Sequence, residues 1–212
     1  MSTWIKRLYP SFKDTVVPLG LFCICPYHQI KMDEPLLHAA ANFSIPTWHV
    51  FQFNGVEIWP TIKEFSAIMG EPNVSTLILP TMSEDFADMA HDLLGISLVA
   101  AQQWYTLNKL NICIVFAYLS RLAVPVAGRG GRACSHYLNA FYLCLLARYF
   151  LVHETYWVDQ RMCLMINSLN KGSPVGMILA KTLNGLDIVH RKEATFFVRS
   201  SLLLQVWSLI FS

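Results

Sequence analysis

Residues 134–152, CSHYLNAFYLCLLARYFLV, are apolar on almost every face of a helix. Such a segment is either a membrane span or the buried centre of a helical globule. Crossing a bilayer takes about 20 predominantly apolar residues. Arg148 interrupts this run, and its charge-free part, 133–147, is too short to cross. Residues 110–126, LNICIVFAYLSRLAVPV, read the same way, because Arg121 breaks the run and Pro125 ends it. Both segments are expected at the centre of a folded helical core. The competing reading is an integral membrane protein anchored by helices 110–126 and 134–152. A charge buried in either helix must be paired. Arg121 and Arg148 are therefore expected as structural charges, bonded to helix-end carbonyls or to acids such as Glu57 or Asp159, rather than as an anion or partner site.

The whole composition agrees with a large core. Of 212 residues, 54% are hydrophobic and 14% charged, against roughly 45–50% and 25% in ordinary soluble domains. A chain this poor in polar surface points to a hidden partner surface or a membrane. The net charge of +2 is too small to argue for nucleic acid, which calls for a strongly basic face. The six cysteines, Cys23, Cys25, Cys113, Cys134, Cys144 and Cys163, include no CxxC pair. Cys23 and Cys25 with His28 fall short of the four ligands of a structural zinc site, so buried, reduced thiols are the better reading and no metal is expected. Lys6 and Arg7 are not followed by the apolar core of a signal peptide.

Outward from the central helix, residues 125–132, PVAGRGGR, form a basic, glycine-rich stretch. Arg129 and Arg132 are its candidate contacts to phosphate or nucleic acid. No Lys-Ser/Thr follows the glycines, so it is not a P-loop, and a solvated inter-helix loop is favoured. Downstream, residues 158–169 read as a helix stopped at Asn170-Lys171-Gly172. Ser173 then caps a further helix with Pro174 in its first turn. Val175, Ile178, Leu179, Thr182, Leu183 and Leu186 make its buried stripe. A last apolar helix, 196–211, runs to Ser212 without a stop signal, which suggests a truncated domain.

Upstream, residues 33–42 read as a helix capped by Asp33 or its neighbour, with Pro35 in its first turn. His49-Val50-Phe51-Gln52-Phe53, Asn54-Gly55 and Val56-Glu57-Ile58-Trp59 form a hairpin signature, because both turn residues need positive φ. Val50, Gln52 and Glu57 are placed towards water. Phe51, Phe53, Ile58 and Trp59 are expected to find cover. Pro60 ends the second strand. Thr61 and Glu64 make a capping box for a helix whose face is Ile62, Phe65, Ile68 and Met69, stopped by Gly70. Residues 75–79 read as a short β run. A helix capped at Thr81 or Ser83 carries Phe86, Met89, Ala90 and Leu93, and another covers 97–108. The expected architecture is mainly α: one multi-helix globular domain with a short β-hairpin at about 49–59 packed on the helices. Residues 1–32 are a lead-in, and 33–212 form the domain.

The order of these signals carries a resemblance. The hairpin, Pro60-Thr61-Ile62-Lys63-Glu64-Phe65, and Ile68-Met69-Gly70 look like the F-x-F…E-x-T-P-T-x-E-D/E…LG segment of the plant mobile domain. This domain is also called the aminotransferase-like plant mobile domain, and it has retroelement-associated relatives. Gly172-Ser173-Pro174-Val175 with Ile178-Leu179-Ala180 resembles that family's later helix. Ser201-Leu202-Leu203-Leu204-Gln205-Val206-Trp207 resembles its closing one. The chain departs from the pattern at Trp59, where the family carries Thr or another small polar residue. The resemblance implies a transposon-derived module, nuclear, of the type linked to meristem maintenance, genome integrity and transposon silencing. It carries over no catalytic residue.

Catalytic chemistry finds little support in the residues. Pyridoxal-phosphate chemistry needs a Schiff-base lysine on a large α/β scaffold. Lys181, the candidate, lies beside an apolar stripe where a lysine more often snorkels outward. The seven histidines form no HExxH motif, no G-x-S-x-G occurs, and His153 at a helix end reads as a dipole partner. The expectation is a non-enzymatic helical interaction module without a cofactor, with a protein partner and only weak support for nucleic acid. A truncated transposon relic without function is the further alternative.

Overall fold

The computed structural model describes residues 33–71, 74–78, 86–106, 109–111, 115, 117, 132–147, 157–159, 161–194 and 201–211. The backbone is mainly helical. Helix α1 (Glu34–Phe43) begins where Asp33 accepts the Leu36 N–H at 3.0 Å and Pro35 occupies the first turn. Three short strands follow: β1 (Ser44–Ile45), β2 (Val50–Phe53) and β3 (Val56–Ile58), antiparallel in the order β1-β2-β3. Asn54 and Gly55 hold φ of +48° and +82°, both left-handed, as the tight turn between twisted strands requires.

Helix α2 (Ile62–Ile68) opens on the full capping box: Glu64 N–H donates to Thr61 Oγ1 at 3.2 Å and Thr61 N–H to Glu64 Oε2 at 2.8 Å. It closes as a Schellman turn, with Gly70 N–H on Ala67 O, Glu71 N–H on Ser66 O, and Gly70 at φ +81°. Phe65, Ile68 and Met69 are buried as expected, but Ile62 is exposed.

Helices α3 (Phe86–Leu94), α4 (Leu98–Trp104), α5 (Arg132–Leu145) and α6 (Arg161–Ser168) pack around one another, with α3 lying on α4, α5 and α6. Asn139 of α5 donates to the Leu93 carbonyl at 3.1 Å, satisfying an orphan acceptor at the end of α3. Helix α7 (Val175–His190) packs on α1 and α2, and α8 (Ser201–Phe211) on the same pair. The buried residues form one continuous cluster across both groups. They are joined at residues 76–78: Ser173 N–H donates to Thr76 O at 2.9 Å and Ile78 N–H to Ser173 O at 3.0 Å.

Several expectations change. A second antiparallel sheet, β4 (Tyr105–Thr106), β5 (Lys109–Asn111) and β6 (Trp157–Asp159), lies where helix was expected. The helix from 97 therefore stops at Trp104, 110 begins in a strand, and 158 belongs to one. Pairing of Lys109 with Asp159 across the chain overrides local helical pattern. β1 extends the hairpin to three strands. Of the expected β run 75–79, the described residues 75–78 contribute a single bridge at Leu77 rather than a strand. Helix α7 starts one residue late, with Pro174 at the cap and Ser173 Oγ accepting the Val175 N–H at 3.2 Å. No helix among the described residues is long and apolar enough to cross a membrane. The lead-in 1–32 with Cys23, Cys25 and His28, the caps Thr81 and Ser83, most of 110–126, residues 148–152, His153, and 196–200 lie outside the described residues.

Candidate functional site

Arg121, Arg129 and Arg148 lie outside the described residues. Arg132 opens α5, and only its backbone is described. Of the acids named as partners for the buried arginines, Asp159 is held by Arg161, with Nε and Nη2 at 2.8 and 2.6 Å. That hydrogen bond is the largest influence holding the Asp159 carboxyl below its usual range, and Lys181 adds to it. Lys181 is half-buried on α7, and its charge is among the influences lowering the Asp159 pKa. Glu57 is exposed. Cys144 and Cys163 carry buried thiols. Among the described residues no group of three or more His, Cys, Asp or Glu could hold a metal ion.

What stands out is the ribbon β1–β3. Its inner face packs on α8: Phe51 stacks on Trp207 with centroids 5.5 Å apart. The Trp207 indole donates to Glu64 Oε2 at 3.1 Å. So the capping box that starts α2 also anchors the helix beneath the ribbon. Side chains alternate along a strand, and the register Phe51↔Ile58 and Gln52↔Glu57 fixes which residues turn outward. Trp59 follows Glu57 by two and shares the outer face with Gln52 and Val50. It is 55% exposed, and Trp48 in the preceding turn is 74% exposed. At the other end Val56 and Phe43 remain exposed, with Phe43 against Phe53 at 4.6 Å between centroids. The expectation that Trp59 finds cover is therefore overturned. The two-residue turn sets a register that places it outside.

The turn carrying Trp48 is pinned. Trp48 and His49 N–H both donate to Ile45 O, at 3.2 and 2.9 Å, and His49 takes φ +53°. The His49 ring lies 3.6 Å from Asp187, a carboxylate buried on α7. On the next turn of α7, His190 Nδ1 lies 2.9 Å from the Ala41 carbonyl at the end of α1. An exposed tryptophan on a turn held by its own backbone and by His49 against Asp187 is pre-organised for contact. Sequence reasoning missed Trp48 and Asp187. The turn 46–49 has no Asn-Gly signature, and an acid inside a helical stripe carries no sign of the histidine it will meet. Comparison of the chain with protein-family models, with curated proteins and with solved structures finds no match.

Proposed function

We propose that this chain is a non-enzymatic helical interaction module, nuclear and of the transposon-derived plant-mobile-domain kind, that binds a partner protein through its aromatic ribbon. The observation carrying this reading is the exposure of Trp59 on the outer face of a small sheet whose inner face is anchored in the core, with Trp48 exposed in the turn before β2 and Val56 and Phe43 exposed at the other end. Tryptophan is enriched among the residues that dominate binding energy, and its large rigid surface costs little entropy to immobilise. Exposed apolar side chains gathered on one element mark a candidate interaction site; Val99 on α4 and Leu209 and Ile210 on α8 are exposed as well. The nuclear and transposon-related part of the proposal rests on the motif order of the hairpin, the capping box and the closing helix.

The test is proximity labelling from the tagged full chain in plant cells, compared with the Trp48→Ala/Trp59→Ala variant. Substituting exposed side chains changes stability by about 0.5 kcal/mol or less, so an unchanged melting curve is expected. Losing two anchoring tryptophans costs binding about 2 kcal/mol or more, so nuclear neighbours labelled by the wild type should disappear. The same neighbours labelled at the same level by a folded variant would overturn the proposal.

A further inference from the structure

Among the described residues the ribbon has one open edge. Its order is β1-β2-β3, and β1 is closed off by α1, since Ser44 N–H and Oγ both bond Ala41 O. β3 is the other edge. A two-residue hairpin turn makes its flanking pair, Phe53 and Val56, exchange both backbone hydrogen bonds, and antiparallel pairs then alternate. Gln52↔Glu57 is thus the non-bonded pair, so the Glu57 N–H and C=O point away from β2. The alternation carries to Trp59, which stands before Pro60 and is biased to extended backbone. No backbone hydrogen bond from Glu57 or Trp59 reaches another element among the described residues. Two successive outward-facing peptide groups are what an added strand engages.

The charge on this edge narrows the occupant. Glu57 is the only carboxylate or lysine/arginine from Ser44 to Ile62, and it sits at the centre of the three-residue strand. A second copy pairing edge to edge about a two-fold axis sets Glu57 opposite either its own counterpart, a like-charge pair that destabilises a sheet, or Trp59, and neither register supplies a cation. An added strand with a cation at that position gains instead, and an apolar residue two positions away meets the Trp59 ring. We infer that β3 receives, by strand addition, an extended segment of another protein that presents a Lys or Arg beside Glu57 and an apolar side chain beside Trp59. In the antiparallel sense the segment reads apolar, any residue, then Lys or Arg. This rests on the ribbon being the binding surface and adds the partner's chemistry to that reading.

The probe is the capped peptide Thr-Thr-Thr-Val-Thr-Lys-Thr-Thr-Thr, titrated into the isotope-labelled full chain and followed by amide NMR shifts and hydrogen exchange. Glu57 and Trp59 amides should shift and exchange more slowly. Replacing the peptide's Lys by Glu should weaken binding at least fivefold, and Glu57→Lys should reverse that preference. N-methylation of the central peptide groups should abolish binding on the unmodified chain, a readout that needs no variant to fold. Shifts confined to the indole rings, with both amides unmoved, would overturn strand addition while leaving the ribbon as the contact surface. So would an unreversed charge preference. No peptide response, together with loss of cellular neighbours in Trp48→Ala/Trp59→Ala, would overturn this inference alone. Retention of those neighbours would remove the functional reading beneath it.

Discussion

Glu71 closes α2 and then meets the chain segment that opens α7. The Ser173 hydroxyl donates to its carboxylate. Burial raises the Glu71 pKa above the usual 4.5, and the Ser173 bond pulls partly against it. A carboxyl raised in the folded state favours folding most when protonated. Its contribution is fully present below pH 4.5 and lost as pH rises through the raised value. Glu71→Gln, which keeps an acceptor for Ser173, should therefore flatten this part of the pH profile. Melting curves from pH 4.5 to 7 should show wild type losing ground to the variant as pH rises; parallel curves would contradict the argument. Gly95 makes a second case. Its φ is +64°, and a Cβ there would lie 2.2 Å from the His136 ring. The left-handed backbone alone costs a side chain roughly 1–2 kcal/mol, and displacing a ring rooted on α5 adds to that. Gly95→Ala should cost about 2 kcal/mol or more by denaturant unfolding, and adding His136→Ala should return only the steric part. A glycine just past the last apolar residue of α3 is a local helix-stop signal. His136 above it gives no such signal, because that contact joins segments with no local pattern in common.

At the scale of elements, Glu64 does two jobs. It completes the cap of α2 and accepts the Trp207 indole of α8. Thr61→Ala should cost about 1 kcal/mol, the usual worth of a cap. Glu64→Ala should cost more, because it also removes the acceptor for a buried indole, a loss of about 1–3 kcal/mol. In a double-mutant cycle, Glu64→Ala and Trp207→Phe should couple, whereas Thr61→Ala and Trp207→Phe should add nearly independently. The elements that were readable in advance share one property: their signal is local. The Asn54-Gly55 turn, the Thr61–Glu64 box, the Asp33 cap and the α7 stripe each fit within a few residues. The second sheet was hidden because its strands are two or three residues long and sit in apolar runs that also suit helices. Only pairing between 109–111 and 157–159 decides them. The same limit applies to the candidate surface. Strand period suggested that large residues go inside, but Trp59 follows the parity set by Glu57, and parity is fixed by the turn.

At the scale of the molecule, the question is whether one core or two stabilise the chain. α1, α2, α7, α8 and the ribbon gather on one side, and α3 to α6 with the second sheet on the other. They are linked through the Ser173 bridge and a continuous set of buried side chains. A continuous core predicts all-or-none unfolding. Leu143 on α5 and Ile178 on α7 are both fully buried, one on each side. Leu143→Ala and Ile178→Ala should each cost about 2–5 kcal/mol, and each should lower the same transition. Far-UV circular dichroism reports all helices, whereas fluorescence reports tryptophans on both sides, Trp48, Trp59 and Trp207 on one and Trp104 and Trp157 on the other. Coincident midpoints by both probes, moved together by either substitution, are the expected result. Two midpoints, with Leu143→Ala moving one and Ile178→Ala the other, would mean that the bridge at Ser173 joins two separately stable bodies. In that case the aromatic ribbon would owe its rigidity to α1, α2, α7 and α8 alone, and its binding should survive substitutions that melt the α3–α6 side.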